Sequence, residues 1–207
     1  MIDTIVFDLG GVLVDWNPRY LYRKLFAHHG ETADAKMEYF LANICTQTWN
    51  EQHDAGQLIA KGTAELIAKH PEHEEMIKAF YGRWPEMLGG SIAGTVKILE
   101  RIRDSKKYRL LALSNWSAET FPLATQRFEF LKIFETVLLS GKEKLIKPDP
   151  RFFALLESRL HVKPENALFI DDVEKNIAAA KNLGFDAIRF ESPEQLERDL
   201  KARNLTF

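Results

Sequence analysis

The sequence predicts an α/β fold: a doubly wound, Rossmann-like parallel sheet carrying one all-helical insertion. Strand-like apolar runs recur at about 3–8, 109–114, 135–139, 167–171 and 186–190, separated by amphipathic helical patterns. That alternation belongs to a parallel sheet covered on both faces. The runs are continuous rather than alternating in polarity, as strands buried on both sides are. Residues of about 16–88 break the rhythm with helical patterns alone. The chain is therefore divided into a core of residues 1–15 and 89–207 and an insertion of residues 16–88.

Taken in order, the first strand is the most informative. Ile5-Val6-Phe7 ends abruptly in Asp8, and Leu9-Gly10-Gly11-Val12-Leu13 follows. The first polar residue after a buried parallel strand lies at the sheet's carboxyl edge, where open α/β sheets bind ligands. The glycines leave backbone N–H groups free to approach an anion. A carboxylate beside such amides suits a nucleophile aimed at a phosphoryl group. The insertion then reads as helices at about 18–29, 33–48, 56–69 and 72–84, with no convincing strand. It is entered through Asp15-Trp16-Asn17-Pro18 and left through Leu88-Gly89-Gly90-Ser91, both rich in turn formers. Two flexible connections predict a lid that opens and closes over the first strand's end. Val96, Leu99 and Ile102 mark the next helix, with Arg101, Arg103, Lys106 and Lys107 near its end, where the helix dipole favours cations.

Three later segments repeat the design of the first strand. Arg109-Leu110-Leu111-Ala112-Leu113 ends in Ser114-Asn115, and Ala167-Leu168-Phe169-Ile170 ends in Asp171-Asp172. Between them lies Lys144-Leu145-Ile146-Lys147-Pro148-Asp149-Pro150. A helix from Glu174 through Ile177, Ala180 and Lys181 closes at Gly184, a natural C-terminal stop.

Asp8-x-x-Gly-Val-Leu, Leu113-Ser114-Asn115, Lys147-Pro148-Asp149-Pro150 and Asp171-Asp172 with Asn176 resemble, in order, the four motifs of the haloacid dehalogenase-like (HAD) hydrolases. The resemblance spans nearly the whole chain and implies the subclass with a helical cap after the first motif. It implies an Mg²⁺-dependent phosphatase acting on a small phosphorylated metabolite, a sugar phosphate above all. Asp8 would be the nucleophile and pass through an aspartyl-phosphate. The metal would be held by Asp8, the Gly10 carbonyl and Asp172, with Asp171 either a further ligand or an acceptor behind the ligands. Ser114, the Asn115 backbone and the N–H groups of Leu9 and Gly10 would hold phosphoryl oxygens. Lys147 would present its charge to nucleophile and phosphate, and Asn176 would orient the acidic pair. The physics agrees: a carboxylate 4 Å from a phosphoryl charge is repelled by about 4 kcal/mol at an effective dielectric near 20, so a cation must offset it. Mg²⁺ accepts one or two carboxylates with phosphate oxygen and keeps waters.

One departure stands out. Most phosphatases of this family carry a second aspartate two residues after the nucleophile, as general acid and base; this chain has Gly10. Members similar to bacterial α-D-glucose-1-phosphate phosphatases share the Asp-Leu-Gly opening, so activity stays in the reading. A water, a cap residue or a good leaving group would then have to compensate.

The bulk numbers fit. The chain has 207 residues, 45% hydrophobic and 28% charged, the profile of an ordinary soluble globule. A charge of −2, from 28 basic against 30 acidic residues, argues against a nucleic-acid footprint. No apolar run approaches a membrane span, and Met1-Ile2-Asp3 does not open a signal peptide. Cys45 is the only cysteine, which fits a reducing, cytoplasmic setting. Nothing in the sequence fixes the oligomeric state.

Several features read as packing or surface. His70 and His73 flank Pro71-Glu72 without a matching ligand pair, His28-His29 end a helix, and Cys45 packs inside the insertion. Ser140-Gly141-Lys142 lacks the glycine spacing of a P-loop, and Gly89-Gly90 with Gly94 is too sparse for a dinucleotide site. Trp116 is as much a pocket wall as a core residue. Trp49, Glu51 and Asp54, before Gly56, fall at a helical break that suits substrate selection. Two alternatives remain beside the phosphatase. A 2-haloacid dehalogenase would use the same aspartate against carbon, without metal, but Asp171-Asp172 would repel its anionic substrate. A regulatory module that lost its acid at Gly10 would bind phosphate without turnover.

Overall fold

All 207 residues are described by the structure, a computed structural model. Seven strands form: β1 (Thr4–Phe7), β2 (Val14–Trp16), β3 (Leu88–Ser91), β4 (Arg109–Ser114), β5 (Thr136–Leu139), β6 (Ala167–Asp171) and β7 (Asp186–Arg189). Five make a parallel sheet in the order β5-β4-β1-β6-β7. All five predicted strand runs are present, each within a residue or so of its expected bounds. β1 lies at the centre, and its Ile5, Val6 and Phe7 are wholly buried. At about 1.5–3 kcal/mol per fully buried side chain, this is a strand the core selects strongly.

Strand alternation splits that burial between two layers. Ile5 and Phe7 join a cluster with Ile98, Leu99, Ile102, Leu196 and Leu200. Val6 points the other way and joins Phe152, Phe153, Leu156, Phe169, Ile177 and Ala180. The sheet is therefore doubly wound. The strand order reverses beside β1, which opens the crevice at the carboxyl ends of β1, β4 and β6.

Between β2 and β3 run α1 (Arg19–Phe26), α2 (Ala33–Asn43), α3 (Gln47–Asp54), α4 (Ile59–Lys69) and α5 (Glu74–Gly82). After β3 come α6 (Ala93–Ser105), α7 (Phe121–Arg127), α8 (Ser140–Glu143), α9 (Pro150–Leu160), α10 (Glu174–Asn182) and α11 (Pro193–Ala202). The inserted helices close on an aromatic centre. Tyr22 packs on Phe26, Phe40 and Phe80 with centroids 5.1–6.4 Å apart, and Trp49 packs on Phe80 at 5.1 Å. Cys45 is buried here and its thiol is pushed up to about 12 by desolvation, so it packs and does not react.

Two expectations need correction. The helix expected at 33–48 ends at Asn43 as α2, and the break expected at Trp49, Glu51 and Asp54 is itself a helix, α3, which opens at Gln47 with the Thr46 side chain accepting from the Trp49 N–H at 3.1 Å. The two crossings are strands rather than turns. β2 and β3 pair antiparallel, Val14 opposite Ser91 and Asp15 opposite Gly90, with a bulge before Trp16. The Tyr20 hydroxyl donates to Asp15 at 2.7 Å and both side chains press on Gly89, where any Cβ would collide. Neither segment carries a strand pattern of its own; each is made a strand by the other.

Candidate active site

Asp8 stands one residue beyond β1, and its main chain continues the sheet by donating to the Ile170 carbonyl at 2.8 Å. Its Oδ1 accepts the Leu9 N–H at 2.7 Å and lies 3.0 Å from Lys147 Nζ. Its Oδ2 has no protein partner. Lys147, from the loop between α8 and α9, is wholly buried and places Nζ 2.7 Å from Asp171 Oδ2 and 5.5 Å above the Phe169 ring. A buried ammonium needs such partners. Burial alone would lower the Lys147 pKa, but the Asp8 and Asp171 carboxylates outweigh it and the net shift is upward. The loop is held by Asn115, whose side chain accepts the Lys147 N–H at 2.8 Å and donates to its carbonyl at 3.1 Å.

The acidic pair divides its work. Asp171, at the end of β6, is fully buried with both oxygens occupied: Oδ1 takes the Val173 N–H at 2.8 Å and Asn176 Nδ2 at 3.0 Å, and Oδ2 takes Lys147 and Asn176. Asp172 accepts no side-chain hydrogen bond and faces the cleft. Carboxylate oxygens of Asp8, Asp171 and Asp172 lie within 4.8 Å of one another, the only such acidic, cysteine or histidine cluster in the chain. Burial pushes Asp8 up to about 7, against the pull of Lys147, and burial followed by the Asp171 charge raises Asp172.

The glycines differ in purpose. Gly11 has φ +73°, and a Cβ there would run into the Asp172 carboxylate, so only glycine brings the turn this close. Gly11→Ala is expected to destabilise the fold by about 1 kcal/mol or more and to weaken cation binding, measured by thermal unfolding and by magnesium titration. Gly10 lines the cleft, and a Cβ there would meet nothing within 4 Å.

The cleft above Asp8 has a volume of about 240 Å³ and is open to solvent. Asp8, Gly10, Asn115, Lys147, Asp172 and Asn176 line its floor. Ser114 is buried behind it, its Oγ without a partner. The Leu9 N–H, expected to face phosphate, is spent on Asp8. His70 and His73 sit at the surface beside Glu72. Trp116 does both things asked of it: it packs on Trp84 at 5.7 Å and lines the cleft.

The cleft's roof is α3. Gln47, Asn50, Glu51 and Asp54, at helical i, i+3, i+4 and i+7 spacing, all line it. Trp49, on another face, is core. Burial pushes Asp54 up to about 7, with the Ser117 N–H pulling it back and the Glu51 charge adding to the rise. A carboxyl raised in the folded state stabilises fully below its unfolded pKa of about 3.9, and that contribution is lost as pH rises through 7. Asp54→Asn is therefore expected to stabilise the metal-free protein by about 1–2 kcal/mol at pH 8 and not at pH 3.5, measured as the difference from wild type in thermal unfolding.

Comparison with known proteins agrees with this arrangement. The haloacid dehalogenase-like hydrolase profile matches residues 2–184. The chain belongs to that family of hydrolases. It is 25% identical to a phosphorylated carbohydrates phosphatase of Thermotoga maritima, over 90% of this chain and 84% of that one. It is 24% identical to a D-ribitol-5-phosphate phosphatase of Bacteroides thetaiotaomicron, over 97% of each. It is 28% identical to the (S)-2-haloacid dehalogenase 4A of Burkholderia cepacia, over 91% of this chain and 84% of that one. A 71-residue stretch, 39% identical, matches mouse acyl-CoA dehydrogenase family member 10, of which the chain spans 7%. Among solved structures, a Bacteroides thetaiotaomicron HAD family enzyme in complex with magnesium and inorganic phosphate superposes with a TM-score of 0.68 at 22% identity, covering 93% of this chain and 96% of that one. A likeness at that identity carries the fold.

Proposed function

We propose that the chain is a magnesium-dependent phosphatase of a small phosphorylated metabolite, a sugar phosphate in the first instance. The carrying observation is Lys147 bridging Asp8 and Asp171 at the strand ends, with Asp172 beside them on the floor of one cleft. Asp8 attacks phosphorus in line and the alcohol leaves; water then hydrolyses the acyl-phosphate on Asp8. Lys147 favours the ionised Asp8 carboxylate against the larger effect of burial and faces the incoming phosphoryl oxygens. The buried Ser114 hydroxyl and the Asn115 backbone receive the other oxygens.

The donor set fits a magnesium ion: oxygen ligands from Asp8, the Gly10 carbonyl and Asp172, with the Gly11 turn left clear for the Asp172 carboxylate. When bound, the ion neutralises phosphoryl charge and relieves the crowded carboxylates. Asp171, its oxygens already taken by four donor contacts, positions Lys147 instead of ligating. Asp172→Asn is thus expected to raise the magnesium dissociation constant at least about 100-fold, and Asp171→Asn about tenfold or less while kcat falls, measured by calorimetric titration beside rates.

The alternative dehalogenase reading is disfavoured by charge. Asp172, facing the cleft without a side-chain partner, would set like charge against the carboxylate of a haloacid bound without a metal. The cleft lining favours a neutral polyhydroxylated leaving group: Gln47, Asn50, Glu51 and Asp54 offer hydrogen bonds beside the rings of Trp16, Trp84 and Trp116. A cytoplasmic setting is part of the same reading and rests on the lone, buried Cys45 thiol. The experiment is turnover of a phosphate-ester panel with Mg²⁺. Wild type turning over none of them, or Asp8→Asn turning over as wild type does, overturns the proposal.

A further inference from the structure

We propose that Asp54, on the roof of the cleft, is the general acid and base that Gly10 is unable to supply. This rests on the phosphatase reading above. As Asp8 Oδ2 bonds to phosphorus and the ester P–O bond breaks, the Asp54 carboxyl gives its proton to the departing alcohol oxygen. In the second half, the Asp54 carboxylate takes a proton from water as the water oxygen bonds to phosphorus and the bond to Asp8 breaks. Asp8 and Asp54 both end as they began, and the ester and one water have become the alcohol and inorganic phosphate.

Placement is the first argument. Helix α3 is pinned across the site rather than beside it. Glu51 reaches Lys175 of α10 at 3.6 Å, just beyond the acidic pair. On the other side, Glu119 accepts the Ile59 N–H at 2.8 Å, at the start of α4. Gly56, just after α3 with φ +94°, sits so close to the Gly141 carbonyl that a Cβ would be 3.0 Å from it. Asp54 lines the same cleft as Asp8, as Lys147 and as Asn115, which holds Lys147.

Chemistry is the second. Of the four residues on the roof face, Gln47 and Asn50 carry no exchangeable acid, and Glu51 is engaged by Lys175. Asn50 Nδ2 donates to Asp54 Oδ2 at 3.0 Å, and the Tyr81 hydroxyl donates to Asn50 Oδ1 at 3.1 Å, which fixes the amide's orientation. The chain Tyr81–Asn50–Asp54 leaves the carboxyl proton on Oδ1. The titratable groups acting on Asp54 are Glu51 on its own helix and Tyr81 from α5, and Lys175, paired with Glu51, lines the same cleft. Burial poises the carboxyl near 7, where it holds and releases a proton equally well.

The test compares leaving groups in Asp54→Asn by rapid-mix kinetics with Mg²⁺. p-Nitrophenolate departs without a proton, so the variant should give a burst of one nitrophenolate per enzyme at a rate within about tenfold of wild type, then turn over about 10²–10⁴-fold more slowly. On a hexose 6-phosphate it should show no burst and a comparable loss of turnover. The burst also reports that the variant is folded. Equal slowing of the first step with both esters, or wild-type turnover on both, overturns the role of Asp54. Wild-type protein inactive on both esters overturns the phosphatase reading, and this proposal with it.

Discussion

Asp8→Asn is expected to remove phosphate-ester turnover entirely, a fall of roughly 10⁴-fold or more, because no second nucleophile faces the phosphoryl position. The substitution is nearly isosteric, so the effect is chemical rather than steric. It also has a thermodynamic signature. Asp8 is buried and raised to about 7, so its ionised form works against folding as pH climbs from about 4 through 7. In metal-free buffer at pH 8 the asparagine variant should therefore melt above wild type while being inactive. At pH 3.5, where both folded and unfolded Asp8 carry their proton, the two should melt together. Differential scanning calorimetry beside the rate assay checks both halves.

Lys147→Ala is expected to be the most destabilising single change near the site. The side chain is fully enclosed and is the only cation within reach of Asp8 and Asp171. Removing it leaves two buried carboxylates facing each other, a cost of about 3–5 kcal/mol, or roughly 10 °C in melting temperature for a chain of this length. The loss should shrink toward pH 5 as Asp8 takes up a proton. Lys147→Met, which keeps the packing on Phe169, should recover part of the stability and none of the activity. Melting curves across pH, beside turnover, distinguish the lysine's two duties.

The floor of the site was legible because each of its residues interrupts an apolar run. Asp8, Ser114-Asn115 and Asp171-Asp172 are polar breaks at strand ends, and β-branched, continuous runs mark such strands almost to the residue. Which of the two adjacent aspartates faces the cleft was not legible. That depends on Asn176, Val173 and Lys147 converging from three segments. The roof was missed as a helix for a related reason. α3 turns Gln47, Asn50, Glu51 and Asp54 toward the cleft, so it has no apolar stripe, and its buried residues are Trp49, Asn50 and His53. The usable signal was there: Thr46 as an N-cap, then polar residues at i, i+3, i+4 and i+7. The β2–β3 pairing had no local signal, because strands of three and four residues are defined only by each other.

That pairing has an architectural consequence. Departing and returning chain run side by side, Asp15 opposite Gly90, at the roughly 5 Å spacing of antiparallel neighbours. The five helices hang from the sheet like a handle with both feet on one tile. A graft joining Trp16 to Leu88 through a tight two-residue hairpin should therefore leave the parallel sheet intact, and helical bundles of other sizes could be exchanged on the same mount without altering the catalytic floor. Such an exchange would remove Asp54 with α3 while Asp8, Lys147 and Asp172 stay put.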